Sequence, residues 1–520
     1  MDDSWDCVIV GGGAAGLSAA LVLGRARRRT LLVDAGAQCN SSAHGIGGLL
    51  GHDGRPPAEL YGMGRAELAS YPTVELRTGE VVRGEPGFVL ELADGSQERA
   101  RTVLLATGME YRPPKLAGLE QLWGNSVFHC PFCHGWEVRD QPLAVIAQGD
   151  RAVHSALLLR GWTDDLVVLT DGPSGLNEAQ VKQLDAAGVR VDERAIARLV
   201  ADGDALAAVE FADGSRLARR GALVASTLHQ RSPLAAQLGA VSAPGPVAAD
   251  ALVVDGFCRT SVPGLFAAGD LSAQMPQVAA AVASGGQAGA AVTQSLLGED
   301  VGLPVPPWPT RTAVTAQYWE RHYGQRGRIW SGRVNAQLER VAADLPAGRA
   351  LDLGCGEGGD AVWLAEHGWQ VTAADVSETA LQRAAAEAAT RGVSDRIVFE
   401  RHDFSESLPD GDFDLVSAQF LQSPIAMDRT RFLRRAADAV TPGGLLVVVD
   451  HGAAPPWAPE HVRNFEFPSA EEVFAALELP EGQWERIQVG LEQRDATGPD
   501  GQRGTLIDNV IVLRRRAGAD

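Results

Sequence analysis

Asp6-Cys7-Val8-Ile9-Val10-Gly11-Gly12-Gly13-Ala14-Ala15-Gly16 is the stretch that decides the fold. The apolar run 6–10 predicts a buried parallel strand, and the glycines behind it turn the chain into a helix that reaches about Gly24. Thr30 to Asp34 predicts the next strand, so these residues complete one βαβ unit. In Gly11-x-Gly13-x-x-Gly16 the first glycine permits a tight turn, the second lets a pyrophosphate approach the backbone, and the third allows close helix–strand packing. The helix N-terminus then faces the phosphates. Asp34 falls 18 positions after Gly16, where a carboxylate can accept hydrogen bonds from ribose hydroxyls.

Outward from this unit, a strand over Thr102 to Ala106 ends in Thr107-Gly108. A second unit begins with a strand at Pro142 to Ile146, followed by helix 151–160 and strand 166–170. Gly264-Leu-Phe-Ala-Ala-Gly-Asp270 then precedes an Ala/Gly-rich helical stretch to about Leu297. Four prolines in the eight residues Gly302 to Pro309 predict a stiff connector without periodicity, and we place a domain boundary there, with a linker over 301–312. Beyond it, helical residues 313–345 lead to strand Ala350 to Leu353, loop Gly354-Cys355-Gly356-Glu357-Gly358, helix 359–367 and a strand from Gln370 that ends at Asp375. Strands and helices keep alternating to the C-terminus, so both halves read as α/β.

With 520 residues, 45% hydrophobic and 22% charged, the chain has the composition of a folded protein of several units. Its net charge of −20 repels phosphate backbones, which argues against a nucleic-acid partner and for small molecules. The arginine runs 27–29 and 514–516 read as solvated ends. No apolar stretch is long enough to cross a membrane, and the opening residues carry no signal-peptide pattern, so a cytoplasmic location is expected. In that reducing compartment the six cysteines do not form a structural disulfide framework. A close pair among them calls for reactivity or a metal.

Such a pair stands in His129-Cys130-Pro131-Phe132-Cys133-His134. Two thiols separated by two residues can close a small ring and exchange disulfides, and the arrangement lowers a thiol pKa toward neutrality. The flanking histidines, His134 above all, can take or donate the proton that thiol chemistry moves. Zinc is the competing reading. It needs four ligands, and with no second cysteine pair only the two adjoining histidines could complete them.

Together, the amino-terminal glycine fingerprint, Ala106-Thr107-Gly108, the C-x-x-C and the late Gly269-Asp270 make residues 1–300 resemble the low-molecular-weight thioredoxin reductase family. The resemblance implies an FAD domain split into 1–112 and 236–300 around an inserted NAD(P)-type redox domain, 113–235, and a homodimer through this flavoprotein half. Gly11, Gly13, Gly16, Asp34, Gly108, Gly269, Asp270 and Gln277 would hold FAD, Asp270 at the ribityl chain and Gln277 at the isoalloxazine. Cys133 would face the flavin and Cys130 the substrate. Two departures set this chain apart. His134 stands where thioredoxin-reducing members have Asp, and the second nucleotide turn reads Ala147-Gln148-Gly149-Asp150-Arg151-Ala152, followed by Asp171 where a basic cluster for a 2′-phosphate is expected. Loss of the first glycine tightens that turn and Asp171 opposes the phosphate, which puts NAD(P)H in doubt. The sequence C-P-F-C-H-G before an aromatic resembles the gliotoxin- and holomycin-type dithiol oxidase branch. That resemblance implies oxidation of a small-molecule dithiol, with electrons passing through FAD to oxygen. The alternative is an NAD(P)H-dependent disulfide reductase.

In the second half, Asp352 and the loop Gly354 to Gly358 join strand to helix with glycines spaced for a ligand without phosphates, and Asp375 lies 17 residues past Gly358. His402-Asp403-Phe404 follows a strand over Ile397 to Glu400, suiting an Asp to an adenine amino group and an aromatic to its ring. Phe413-Asp414 opening a strand, and Thr441-Pro-Gly-Gly444 before the strand Leu445 to Val449, complete the pattern. Residues 313–520 therefore resemble the class I S-adenosylmethionine-dependent methyltransferases, which implies Asp352, Gly354, Gly356, Asp375, Asp403 and Phe404 as cofactor contacts. Methyl transfer is an in-line displacement in which alignment can suffice, so no catalytic residue is named in this half. The aromatics from Tyr318 to Trp330 read equally as a lid or as core. The expected fold is a two-dinucleotide-domain, thioredoxin reductase-like flavoprotein followed by a Rossmann-like methyltransferase domain. A dithiol is a substrate that both halves could share, one oxidising and the other methylating its sulfurs.

Overall fold

The computed structural model describes residues 4–245, 247–272, 275–325, 327–425, 427–458, 467–498 and 502–517. The opening residues 1–3 used in the signal-peptide reading, and Arg326 within the helical stretch 313–345, lie outside the described residues. The chain forms two compact units, Met1–Pro309 and Thr310–Asp520.

The first unit is built on β1 (Trp5–Val10), β2 (Thr30–Asp34), β3 (Val74–Thr78), β4 (Val81–Glu85), β5 (Val89–Leu92) and β6 (Gln97–Leu105), in the order β3-β2-β1-β6-β5-β4. Cys7, Val8 and Ile9 are fully buried, as expected of a parallel strand covered on both faces. A second sheet holds β7 (Val127–Phe128), β8 (Leu143–Ile146), β9 (Leu166–Leu169), β10 (Arg190–Asp192) and β11 (Gly221–Val224), ordered β10-β9-β8-β11-β7. The chain then returns to the first sheet, where β12 (Leu265–Ala267) lies parallel on β6 with Leu265 opposite Val103. The long helix Val278–Val301 seals this sheet against helix Ala14–Arg25. The two helices meet at glycine, since a Cβ on Gly285 would lie 2.1 Å from the Ala15 carbonyl oxygen.

The expected boundaries need four corrections. The helix expected over 151–160 begins earlier, at Gly149. The proline-rich segment is no free connector: Arg259 donates to the carbonyls of Pro306 and Pro307, and Trp308 donates to the Thr260 carbonyl and packs edge-on against Phe266 at 5.2 Å. Proline stiffness remains, but carbonyls without a competing N–H partner are taken by an arginine of the first unit. The stretch 313–345 is two helices, Arg311–Gly324 and Ala336–Ala342, because the amides of Ile329 and Trp330 between them donate to the Glu357 carboxylate instead of to a helix ladder. Arg514 and Arg515 belong to the last strand, Arg503–Arg515, rather than to a tail, and Arg514 stays exposed there.

The second unit is one sheet of β13 (Arg349–Leu353), β14 (Gln370–Asp375), β15 (Ile397–Arg401), β16 (Phe413–Gln419), β17 (Val440–His451), β18 (Trp484–Thr497) and β19 (Arg503–Arg515), ordered β15-β14-β13-β16-β17-β19-β18. The first five are parallel and the last two run antiparallel as a long hairpin. The parallel strands deliver Gly354, Asp375, Asp403 and the residues after Gln419 to one edge, where ligands of open α/β sheets bind.

Candidate functional sites

At the end of β1 the three fingerprint glycines do different work. A Cβ on Gly11 would sit 2.2 Å from the Ala106 carbonyl oxygen and one on Gly16 1.8 Å from the Gly11 oxygen, while no described residue comes within 4 Å of the Cβ position on Gly13. Two glycines thus let chain pack on chain and the middle one leaves room for a ligand. Asp34 ends β2 nearly buried, accepting from the Gly36 amide at 2.9 Å. Both border a cavity of about 520 Å³ that Gly11, Gly108, Gly269, Asp270 and Gln277 also line, together with Cys133 and His134. Of the residues expected here, Gly16 and Cys130 alone do not line it. Gly16 packs beneath the turn, and Cys130 is 8% exposed.

Cys130 and Cys133 are joined as a disulfide with Cα atoms 5.3 Å apart, on the single turn Pro131–His134. The other four cysteines are in no disulfide. Cys133 lies between the cavity and Gly47, whose missing side chain lets the Cys133 carbonyl come within 2.5 Å of where a Cβ would stand. His134 stacks on Phe128 with centroids 5.6 Å apart, and its ring nitrogens are buried without a hydrogen-bond partner in the described structure. Burial holds its pKa below the usual imidazole value, outweighing the Gly124 and Cys130 backbone and Glu137. His129 is pushed down to about 4 by burial and by His134. Both imidazoles are therefore neutral near pH 7, able to accept a proton. Beside the turn, Phe132 and Trp136 are exposed, 54% and 66%.

Three cavity residues escaped the sequence reading. Tyr111 donates to Asp270 at 3.0 Å, the Cys39 thiol lies 3.6 Å from the same carboxylate, and Trp123 stacks on His129 at 5.8 Å. Burial raises the Asp270 carboxyl, and burial followed by the Asp270 charge pushes the Cys39 thiol up to about 12. Nothing in the spacing of Cys39, Tyr111 or Trp123 marks them; they arrive by tertiary packing.

The second nucleotide turn is differently arranged. Ala147 is nearly buried, the Gly149 amide at the start of helix Gly149–Leu159 donates to the Ser174 carbonyl at 2.9 Å, and the Asp171 carboxylate accepts from the Ile196 amide at 2.6 Å.

In the second unit, Asp352 is almost wholly buried and one carboxylate oxygen has no partner in the described structure. Burial raises its pKa well above the usual range, and Asp360 and Asp375 add to the rise. A buried, crowded carboxyl with an open oxygen suits a cationic ligand group such as an ammonium. Asp375 accepts from the Gly356 amide at 3.0 Å and the Ser377 amide at 2.9 Å, and burial lifts it to about 6. Asp403 accepts from the Ser405 amide while its other oxygen is buried and has no partner among the described residues. Gly354 and Gly356 take φ +73° and +52°, the left-handed region that lets the loop curl under a ligand. Buried carboxyls beside a curled glycine loop fit the cofactor that the sequence resemblance implies, which Asp352, Asp375 and Asp403 would hold. Phe404 is placed otherwise than expected: it is 6% exposed and packs on Phe432 at 5.8 Å, so its ring belongs to the core beneath the loop.

The aromatic segment is neither wholly lid nor wholly core. Tyr323 is buried while Trp330 is 52% exposed, and both stand against the Cβ position of Gly356, at 3.2 and 3.3 Å. Glu357, which the sequence reading passed over inside the quoted loop, holds the segment there through the Ile329 and Trp330 amides and is itself paired with Arg383 at 2.8 Å.

Comparison with known proteins assigns a family to each unit. Residues 5–285 match the family model of pyridine nucleotide-disulphide oxidoreductases, and residues 350–444 match a methyltransferase domain. The thioredoxin reductase tcpT of Claviceps purpurea is 30% identical over 56% of this chain and 95% of its own length, and sirT of Leptosphaeria maculans is 30% identical over 57% and 96%. Among solved structures, an oxidoreductase from Agrobacterium tumefaciens is 37% identical with a TM-score of 0.53, covering 56% of this chain and 99% of its own. HlmI is also 37% identical, with a TM-score of 0.54 over 58% of this chain and 95% of its own. The chain thus belongs to the pyridine nucleotide-disulphide oxidoreductase family and carries a methyltransferase domain behind its oxidoreductase unit.

Proposed function

We propose that the first unit oxidises small-molecule dithiols to disulfides through Cys130 and Cys133 with FAD and oxygen, and that the second unit transfers a methyl group from S-adenosylmethionine to a thiol. The observation that carries the oxidase reading is the second nucleotide turn. An N–H group that a pyrophosphate would need there is taken by Ser174, the tight-turn glycine is Ala147, and Asp171 presents a carboxylate where a 2′-phosphate would lie. The substrate dithiol reduces the Cys130–Cys133 disulfide and leaves as a disulfide. Cys130 meets the substrate, and Cys133, on the cavity wall, passes the electron pair inward. His134 takes a thiol proton as the sulfur bond forms, which its neutral, buried ring suits. FAD, when bound, accepts the two electrons and gives them to oxygen as hydrogen peroxide. Exposed Phe132 and Trp136 offer an apolar bench for the substrate beside the disulfide.

The fungal relatives, both named thioredoxin reductases, favour a second reading, a nicotinamide-dependent disulfide reductase. Anaerobic stopped-flow reduction of the flavin separates the two. Dithiothreitol should bleach it, and NADPH and NADH should do so far more slowly than turnover. Bleaching by either nicotinamide at the turnover rate would establish the reductase instead.

A further inference from the structure

The loops after β15, β14 and β13 carry Asp403, Asp375 and the Gly354 turn, in that order across the sheet. A cofactor laid along them ends at Gly354, where Leu421 closes in to 2.5 Å of the Cβ position. The methyl acceptor must then approach from the strands on the other side of β13, over the ends of β16 and β17. Phe420, directly after β16, sits at φ +50°, in the left-handed region that an aromatic residue rarely adopts. The Phe420 amide donates to the Val449 carbonyl at 2.7 Å, and the turn lays the ring against His451 with centroids 4.7 Å apart. Phe467 borders the same imidazole at 6.1 Å.

His451 is the last residue of β17, half-buried, and its ring nitrogens make no hydrogen bond to the described residues. The charged groups packed around it are already engaged. Asp508 on β19 is fully buried and paired with Arg494 of β18 at 2.6 Å, Arg494 lies over the Phe420 ring, and Asp450 is paired with Arg429 at 2.6 Å. Among the described residues, the imidazole is the basic group left open at this end. Burial lowers its pKa, with Asp508 opposing and Arg494 assisting, so it is neutral at pH 7.

We propose that His451 is the general base of methyl transfer, taking the proton of a thiol acceptor that lies between Phe420 and Phe467; the thiol rests on the functional reading above. As the acceptor sulfur forms its bond to the methyl carbon, its proton passes to the imidazole. The carbon–sulfonium bond breaks with its electron pair left on the departing sulfur, giving a thioether and S-adenosylhomocysteine. A free thiol has a pKa of about 8.5, so only a few per cent is thiolate at pH 7 and a base raises the rate.

The experiment uses the full chain with benzyl mercaptan as probe and 4-methylphenol beside it. His451→Gln should bind S-adenosylmethionine as the wild type does, yet lose about 10²- to 10⁴-fold in kcat at pH 7. The loss should shrink as pH rises toward the acceptor's own pKa. In the S-adenosylhomocysteine complex, the NMR titration of the His451 imidazole should move when benzyl mercaptan is added. A variant within threefold of wild type, a pH-independent loss, loss of cofactor binding, or an imidazole that ignores both probes would each overturn the assignment. Turnover of 4-methylphenol but not benzyl mercaptan, still dependent on His451, would sink the thiol reading and leave the base standing.

Discussion

Asp375→Ala should uncouple the two activities. On the proposed function the carboxylate accepts from the cofactor's ribose, and in the structure it anchors the Gly356 and Ser377 amides at 3.0 and 2.9 Å. Losing two charge-assisted hydrogen bonds at about 1.5–3 kcal/mol each weakens binding by about 3–6 kcal/mol, or about 10²- to 10⁴-fold in Kd. Two stranded amides add to the loss by loosening the glycine loop. Titration calorimetry with S-adenosylmethionine and flavin absorbance on the same sample measure both halves. Flavin content and reduction by dithiothreitol should be unchanged, because Asp375 belongs to the second compact unit. The wild type adds a pH arm. Burial raises Asp375 to about 6, and hydroxyl donors favour its ionised form, so affinity is full above pH 6 and falls as pH drops through it. The same shift acts oppositely on the cofactor-free fold: a carboxyl raised from its ordinary value of about 4 makes that unit lose up to about 3 kcal/mol as pH climbs from 4 to 6. A Kd change below tenfold, or loss of flavin, would refute the assignment.

Cys130→Ser should leave a reduced protein whose remaining thiolate gives a charge-transfer band with the flavin, since Cys133 is the sulfur on the cavity wall; the band persisting in Cys133→Ser instead would reverse the roles. His134→Ala should slow dithiol oxidation increasingly as pH falls below the thiol pKa of about 8.5, because the sulfur then keeps its proton and loses the neutral ring that follows Cys133 as its acceptor. Rates parallel to wild type at every pH would make His134 a packing residue. Trp308→Ala should destabilise the first unit by about 2–3 kcal/mol, from a lost aromatic contact and an orphaned Thr260 carbonyl, and an unchanged urea midpoint read at the flavin would return the proline segment to a free linker.

The parts legible in the sequence were those where a local covalent demand leaves one choice. Gly16 can be nothing larger beneath Gly11, and Asp34 must end the next strand, so the cradle is written in adjacent residues. That Gly11, Cys133 and Gln277 share one cavity was legible only through resemblance, since it depends on β12 joining β6 across the 159 residues between Leu105 and Leu265. Tyr111 and Cys39 left no trace because a hydrogen bond to Asp270 has no sequence period. The division of 313–345 into two helices and the docked prolines were misread for one reason: helical or loop composition reports local preference, while Glu357 and Arg259 act from 28 and 47 positions away.

The late return of β12 to the first sheet also sets an order of assembly on the ribosome. The inner sheet, β7 to β11, lies within residues 127–224 and can close as soon as that stretch has emerged. The sheet that begins the chain cannot, because β6 waits for Leu265 and helix Ala14–Arg25 waits for Gly285. Residues synthesised first are therefore among the last to reach their final packing, with a buried-type strand edge on β6 open in the interval. A nascent chain halted near residue 230 should hold a protease-resistant core from its middle and no flavin, and FAD supply in the cell should affect the yield of finished protein rather than the start of its folding.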